Sequence, residues 1–275
     1  MLKDSKLKED LTMKKYTEED FETFELDRQG WLRCPSGDYT EIKDFPEKCN
    51  FGFGSTFGEG SIFGRWSRFE WECNFGGECD FGPGSVFEYG SNFGNNNNFD
   101  KGCHLNVYSK FGDGNEFGEG SEFGRGSEFG SGNRIGAWSK FDRETEFIDG
   151  NVFGMGVTFG KDSRFGASNT FGKNSEFGKS CRFGEKSSFG EDSYFGMYNV
   201  FGSGSKFSNG NEFDRECKFK KECGFGDANS FGLLSSFGEG CSFGDENIFG
   251  NYCNFDAGIT FGENNEFGEN ITMKD

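Results

Sequence analysis

Leucine, isoleucine and valine are scarce in this chain, and only one histidine and three prolines stand among its 275 residues. A single histidine excludes a zinc site built from three histidines. No stretch approaches the roughly 18 consecutive apolar residues of a membrane-spanning helix. The first residues, MLKDSKLKEDLTMKKYTEED, are charged throughout and contain no apolar segment, so no secretory signal is expected. Few aliphatic residues together with a net charge of −18 would ordinarily mark a disordered chain. The aromatic content of 18% argues otherwise, since disordered chains are poor in aromatic residues. A core is expected, built almost entirely from one residue type. The expected setting is the cytoplasm.

Phenylalanine and glycine are abundant, at 39 and 46 residues, and they are periodic. Stepping by six from Phe45 to Phe267 meets Phe at 36 of 38 positions, with Leu105 and Ile135 at the other two and no insertion anywhere. Counting Phe as position one, position two is Gly in 27 of 38 hexads, which reads as a turn residue that tolerates left-handed φ. Position five is Ser, Asn or Cys in nearly every hexad. A step of six fits neither an amphipathic helix nor a strand meander. It fits short strands separated by bends, each pointing one large side chain inward.

One buried Phe contributes about 4–6 kcal/mol from its roughly 150–250 Å² of surface. Ordering six residues costs about 9 kcal/mol, so a hexad cannot stand alone and must stack on others as a solenoid does. The asparagines at position five give the number of hexads per coil. Asn97, Asn115, Asn133, Asn151 and Asn169 are 18 residues apart, as are Asn211, Asn229, Asn247 and Asn265. Three hexads per coil puts Asn on Asn along an edge, where buried amides satisfy one another. The expected fold is all-β: a single-stranded parallel β-helix with triangular coils of 18 residues. About 12.7 coils at roughly 4.8 Å each give a rod ~60 Å long. Residues 1–44 lie outside the repeat and are expected to form an N-terminal cap over the β-helix of residues 45–275. A short charged helix is expected in the first twenty residues, and turns are expected at DRQG and PSGD.

Phe-Gly-x-x-Ser-x resembles the motif of the hexapeptide-repeat left-handed parallel β-helix superfamily, from which it departs by placing Phe where that motif has an aliphatic residue. The resemblance implies left-handed coils. It also implies an alternative function, because the superfamily includes acyltransferases with a catalytic histidine at a subunit boundary. His104, however, falls at position six, facing outward between Val86 and Glu122, and no loop projects from the coil to hold a substrate. An enzyme is not expected, and neither is a cofactor or a metal. Nine of the ten cysteines occupy position five in place of Ser and Asn and read as small buried corner residues. A disulfide between the stacked Cys223 and Cys241 is conceivable but not expected.

The surface offers two function classes. Residues 1–44 hold 12 acids and 8 bases, leaving −14 on the repeat. The rod resembles duplex DNA in shape, so an acidic DNA mimic is an alternative, although a duplex of ~60 Å would carry about 36 negative charges, more than twice as many; direct nucleic-acid binding is disfavoured. The leading expectation is a non-enzymatic rod that binds a protein partner. Folding the sequence at three hexads per coil places Phe53, Trp71, Tyr89, Val107, Arg125, Arg143, Lys161 and Lys179 at position three of one edge, with Tyr108 beside them at position four. Aromatic and Arg side chains are the usual anchors of interfaces. The last coil, with Phe261 and Phe267, is expected to self-associate into a homodimer.

Overall fold

The computed structural model describes residues 13–275 and is a parallel β-solenoid of about 13 coils, each three hexads long. Three parallel sheets of 14, 13 and 13 strands form its sides. From Phe45 onward each strand covers positions six and one of the hexad and pairs in register with the strand one coil on, as Phe45 does with Phe63 and Phe117 with Ile135. Asn115 and Asn133, predicted to be neighbours across one rung, are hydrogen-bonded there.

Three backbone hydrogen bonds per hexad hold coil to coil. Position six donates to the position-five carbonyl of the preceding coil (Ile62 to Lys43, 2.7 Å). Position two donates to the position-one carbonyl of that coil (Gly64 to Phe45, 2.9 Å). Position four donates the other way, to the position-three carbonyl of the next coil (Trp66 to Pro83, 3.0 Å). No element closes on itself, so every rung depends on its neighbours.

The interior is a column of rings. Within a sheet, successive Phe rings lie nearly parallel, from 4.3 Å between Phe129 and Phe147 to 5.4 Å between Phe147 and Phe165. Between sheets they meet edge to face, as Phe159 meets Phe165 at 4.9 Å and 88°. Each ring thus presents its edges to the faces of its neighbours, the arrangement that the ring quadrupole favours by about 0.5–1.5 kcal/mol per pair. Position five completes the interior. Asn133 is fully buried; its Oδ1 accepts from the Asn115 backbone N–H at 2.8 Å, and its Nδ2 donates to the Gly130 carbonyl at 2.9 Å. Where Ser replaces Asn, its hydroxyl donates to the carbonyl three residues back, as Ser121 does to Gly118 at 2.9 Å.

The glycines call for a correction. Left-handed φ occurs at position four, not at position two: Gly120 has φ +69°, and Trp66, Tyr108 and Trp138 share that conformation at 57°, 60° and 60°. Position two is Gly because coils approach closely there. A Cβ on Gly124 would lie 2.6 Å from the Val107 nitrogen and 2.7 Å from the Asn106 carbonyl carbon. The sequence shows that Gly is favoured at position two without distinguishing a dihedral requirement from a lack of space.

Parallel pairing begins before Phe45. Strand β1 (Leu32–Cys34) pairs with β3 (Cys49–Phe51), and β2 (Asp44–Phe45) starts a second sheet. Leu32 meets Cys49, one residue short of a full coil. Tyr39 takes a core position, its ring stacked on Phe57 at 5.4 Å, and Tyr16 stacks on Tyr39 at 5.0 Å. Helix α1 (Glu18–Phe21), with a Thr17–Asp20 capping box, brings Phe21 against Phe45 at 5.6 Å. These aromatic residues cover the first coil. The DRQG segment turns as expected, with the Asp27 side chain accepting from the Gln29 and Trp31 N–H groups at 2.8 and 3.0 Å. The helix expected in the first twenty residues falls largely outside the described residues. Among the described residues no helix is long and apolar enough to cross a membrane.

Candidate partner-binding edge

Positions three and four form the corners of the coil, and their side chains leave the rod. Because coils stack in register, one corner repeats the same two positions on every rung. On the predicted corner Phe53, Trp71, Tyr89 and Tyr108 are all exposed, Trp71 most of all at 60%. Tyr89 and Tyr108 meet edge to face at 5.5 Å, and the Arg125 guanidinium lies over the Tyr108 ring at 5.4 Å. The left-handed backbone at Tyr108 lays its ring across Gly126 of the next coil, where a side chain would collide with it. Trp66 over Gly84 and Trp138 over Gly156 repeat the device on another corner.

The basic half of the corner is less cationic than its third-position residues suggest. Arg143 lies 3.8 Å from Glu144 and Lys161 lies 3.8 Å from Asp162, each acid being the fourth-position residue of the same bend. Lys179 has Ser180 there instead and makes no ion pair among the described residues. The expected edge took its residues from positions three and four and left out position six, on the outward face that follows each bend. That face adds Arg164 and Arg182 on successive rungs, three residues on from Lys161 and Lys179. A table of the repeat that kept position six would have found them.

Phe261 is half-buried and Phe267 exposed in the last coil, stacked on Phe243 at 5.2 Å and Phe249 at 5.0 Å. Glu263, Glu266 and Glu269 are exposed in the same two hexads. His104 stands on an outer sheet face, in register with Val86 and Glu122, its Nδ1 3.2 Å from the Glu122 carboxylate.

All ten cysteines are buried and free. Burial pushes the thiols of Cys73, Cys103, Cys181 and Cys217 up to about 12, and that of Cys253 to about 11. Contact with Cys241 and burial together raise Cys223. These six thiols, held neutral in a dry column, are poor nucleophiles and poor metal ligands, whereas the contact with Cys223 draws Cys241 down. No group of three or more His, Cys, Asp or Glu able to hold a metal ion occurs among the described residues.

No protein-family model matches the chain, and no curated protein does. Among solved structures it matches "Structure of the Streptococcus pneumoniae surface protein and adhesin PfbA" at a TM-score of 0.21 and 10% identity, over 88% of this chain and 91% of that one. A likeness this slight carries no argument about role.

Proposed function

We propose that the chain is a non-enzymatic rod that binds a protein partner along the corner from Phe53 to Lys179. The observation that carries this reading is the run of exposed aromatic side chains on consecutive rungs, Phe53, Trp71, Tyr89 and Tyr108, ending on Arg125. Exposed aromatics on neighbouring rungs make one contiguous apolar strip, and such strips mark interfaces. The rod holds them at fixed spacing, so a partner would bind without first ordering the site. The six-residue register supports a place beside the hexapeptide-repeat β-helix proteins, with residues 1–44 as the cap. Homodimerisation would run through Phe261 and Phe267, opposed by the glutamates of the same hexads.

The test is retention of lysate proteins on the immobilised chain, wild type against Trp71→Ala/Arg143→Glu. A protein retained by wild type and released by the double variant supports the edge. Equal retention by both moves binding to the acidic faces, and competition by duplex DNA there would favour mimicry of nucleic acid.

A further inference from the structure

We propose that the basic end of this corner, around Lys179 and Arg182, is a docking site for a phosphorylated segment of the protein partner. The proposal rests on the reading of the corner as a binding edge and adds the chemistry of what binds its basic end. Arg164 and Arg182 face each other across adjacent rungs, an arrangement of like charges that weakens a sheet. Arg164 is partly relieved by Glu146 at 3.1 Å, whereas Arg182 has Arg164 on one side and Val200 on the other. Among the described residues neither Arg182 nor Lys179 makes an ion pair. A feature that costs stability and gains no partner within the fold is where function is to be sought.

The surroundings complete a site. A groove of about 380 Å³ is lined by Asp162, Arg164, Ser180, Arg182, Tyr198 and Val200. Tyr198 is exposed on the next rung; one rung later Lys218 is in register with Val200, and Arg215 Nε donates to Met197 Sδ at 3.0 Å. Arg164 and Arg182 thus stand beside the Tyr198 ring and Val200, with one carboxylate, Asp162, among them, on a chain whose net charge is −18.

Two features select the ligand. The first is chemical: a phosphate has close to two negative charges and three acceptor oxygens, enough for two guanidiniums at once, while a carboxylate is satisfied by one bidentate Arg. The second is length. From Lys161 to Arg215 is three rungs, roughly 14 Å. Beyond it Glu128, Glu144 and Glu146 offset Arg125 and Arg143 on one side, and residues 221–275 carry ten acids against two bases on the other. A long polyanion such as nucleic acid would be repelled where it ran over residues 221–275, whereas a short phosphorylated stretch in a polypeptide fits within the patch.

The experiment is an NMR titration of the full chain, reading the Arg side-chain Nε–Hε signals. The probe is an eight-residue peptide with one central phosphoserine, compared with its unphosphorylated twin. The expected result is that the phosphopeptide shifts the Arg164 and Arg182 signals and binds at least tenfold more tightly than its twin. Lys179→Glu/Arg182→Glu should remove the shifts without lowering the melting temperature, since both side chains are exposed and the change relieves Arg164. Trp71→Ala should leave phosphopeptide binding intact, so losing the partner along the aromatic strip and losing the phosphate site are separate outcomes. Equal binding of the two peptides, or shifts only at other arginines, would overturn the proposal. So would tighter binding of single-stranded DNA or of phosphatidylserine vesicles, which would make the patch a general polyanion surface.

Discussion

Single residues in this fold answer to three local demands: a core volume, a close approach and a left-handed bend. Gly124 and Gly120 separate the last two. Alanine at Gly124 forces its Cβ into the backbone of the preceding coil, a displacement costing about 1–3 kcal/mol. Alanine at Gly120 meets open space and costs about 1 kcal/mol for its positive φ. Thermal denaturation of the two variants should therefore place Gly124→Ala lower. The cysteines give a pH prediction. Cys73, Cys103, Cys181 and Cys217 are raised from an ordinary 9.0 to about 12, so the fold favours their protonated form. Their contribution is complete below pH 9 and is lost as pH climbs toward 12. The melting temperature should fall across that window, and Cys181→Ser should shallow the fall. A thiol reagent at neutral pH should find no reactive cysteine in the native chain and all ten after unfolding.

At the scale of the rung, the sequence was most legible where one demand repeats without interruption. Phe at every sixth residue and Asn at every eighteenth specified the strand positions, the three sides and the in-register stacking. Both signals come from side chains whose partners are copies of themselves. Legibility failed at the bends. The contact that demands Gly at position two is made with another coil, and position four tolerates Trp and Tyr beside Gly because its side chains leave the rod. The start of the solenoid was hidden for a related reason. Leu32–Cys34 pairs one residue out of register, and Tyr39 and Tyr16 continue the ring column without being Phe. The Asn ladder carries its own prediction. Asn133→Ala leaves the buried Asn115 N–H without its acceptor, a loss of about 1–3 kcal/mol. Asn98→Ala, on an exposed outer face, should change stability by less than about 0.5 kcal/mol in denaturant titrations.

The whole molecule is a rod with unevenly placed charge. Residues 121–220 balance 14 acids with 14 bases, while residues 221–275 hold ten acids and two bases. Any association through the last coil brings like charges together, and salt screens them over about 10 Å at 0.1 M. Sedimentation should thus show self-association rising with ionic strength, and Phe267→Glu should suppress it. The neutral middle, by contrast, carries the cationic half of the corner, which continues the aromatic strip from Phe53 to Tyr108. How far that corner acts as a surface was only partly legible, because ion pairs within a bend and the outward face beside it depend on the folded spacing. The central claim, that this corner is where a partner binds, is tested most directly by placing a photo-crosslinking amino acid at Trp71 and, in a separate chain, at Glu185 on another corner. The account predicts a discrete crosslinked partner from position 71 and none from position 185. Equal crosslinking from both positions, or crosslinking from 185 alone, would contradict it.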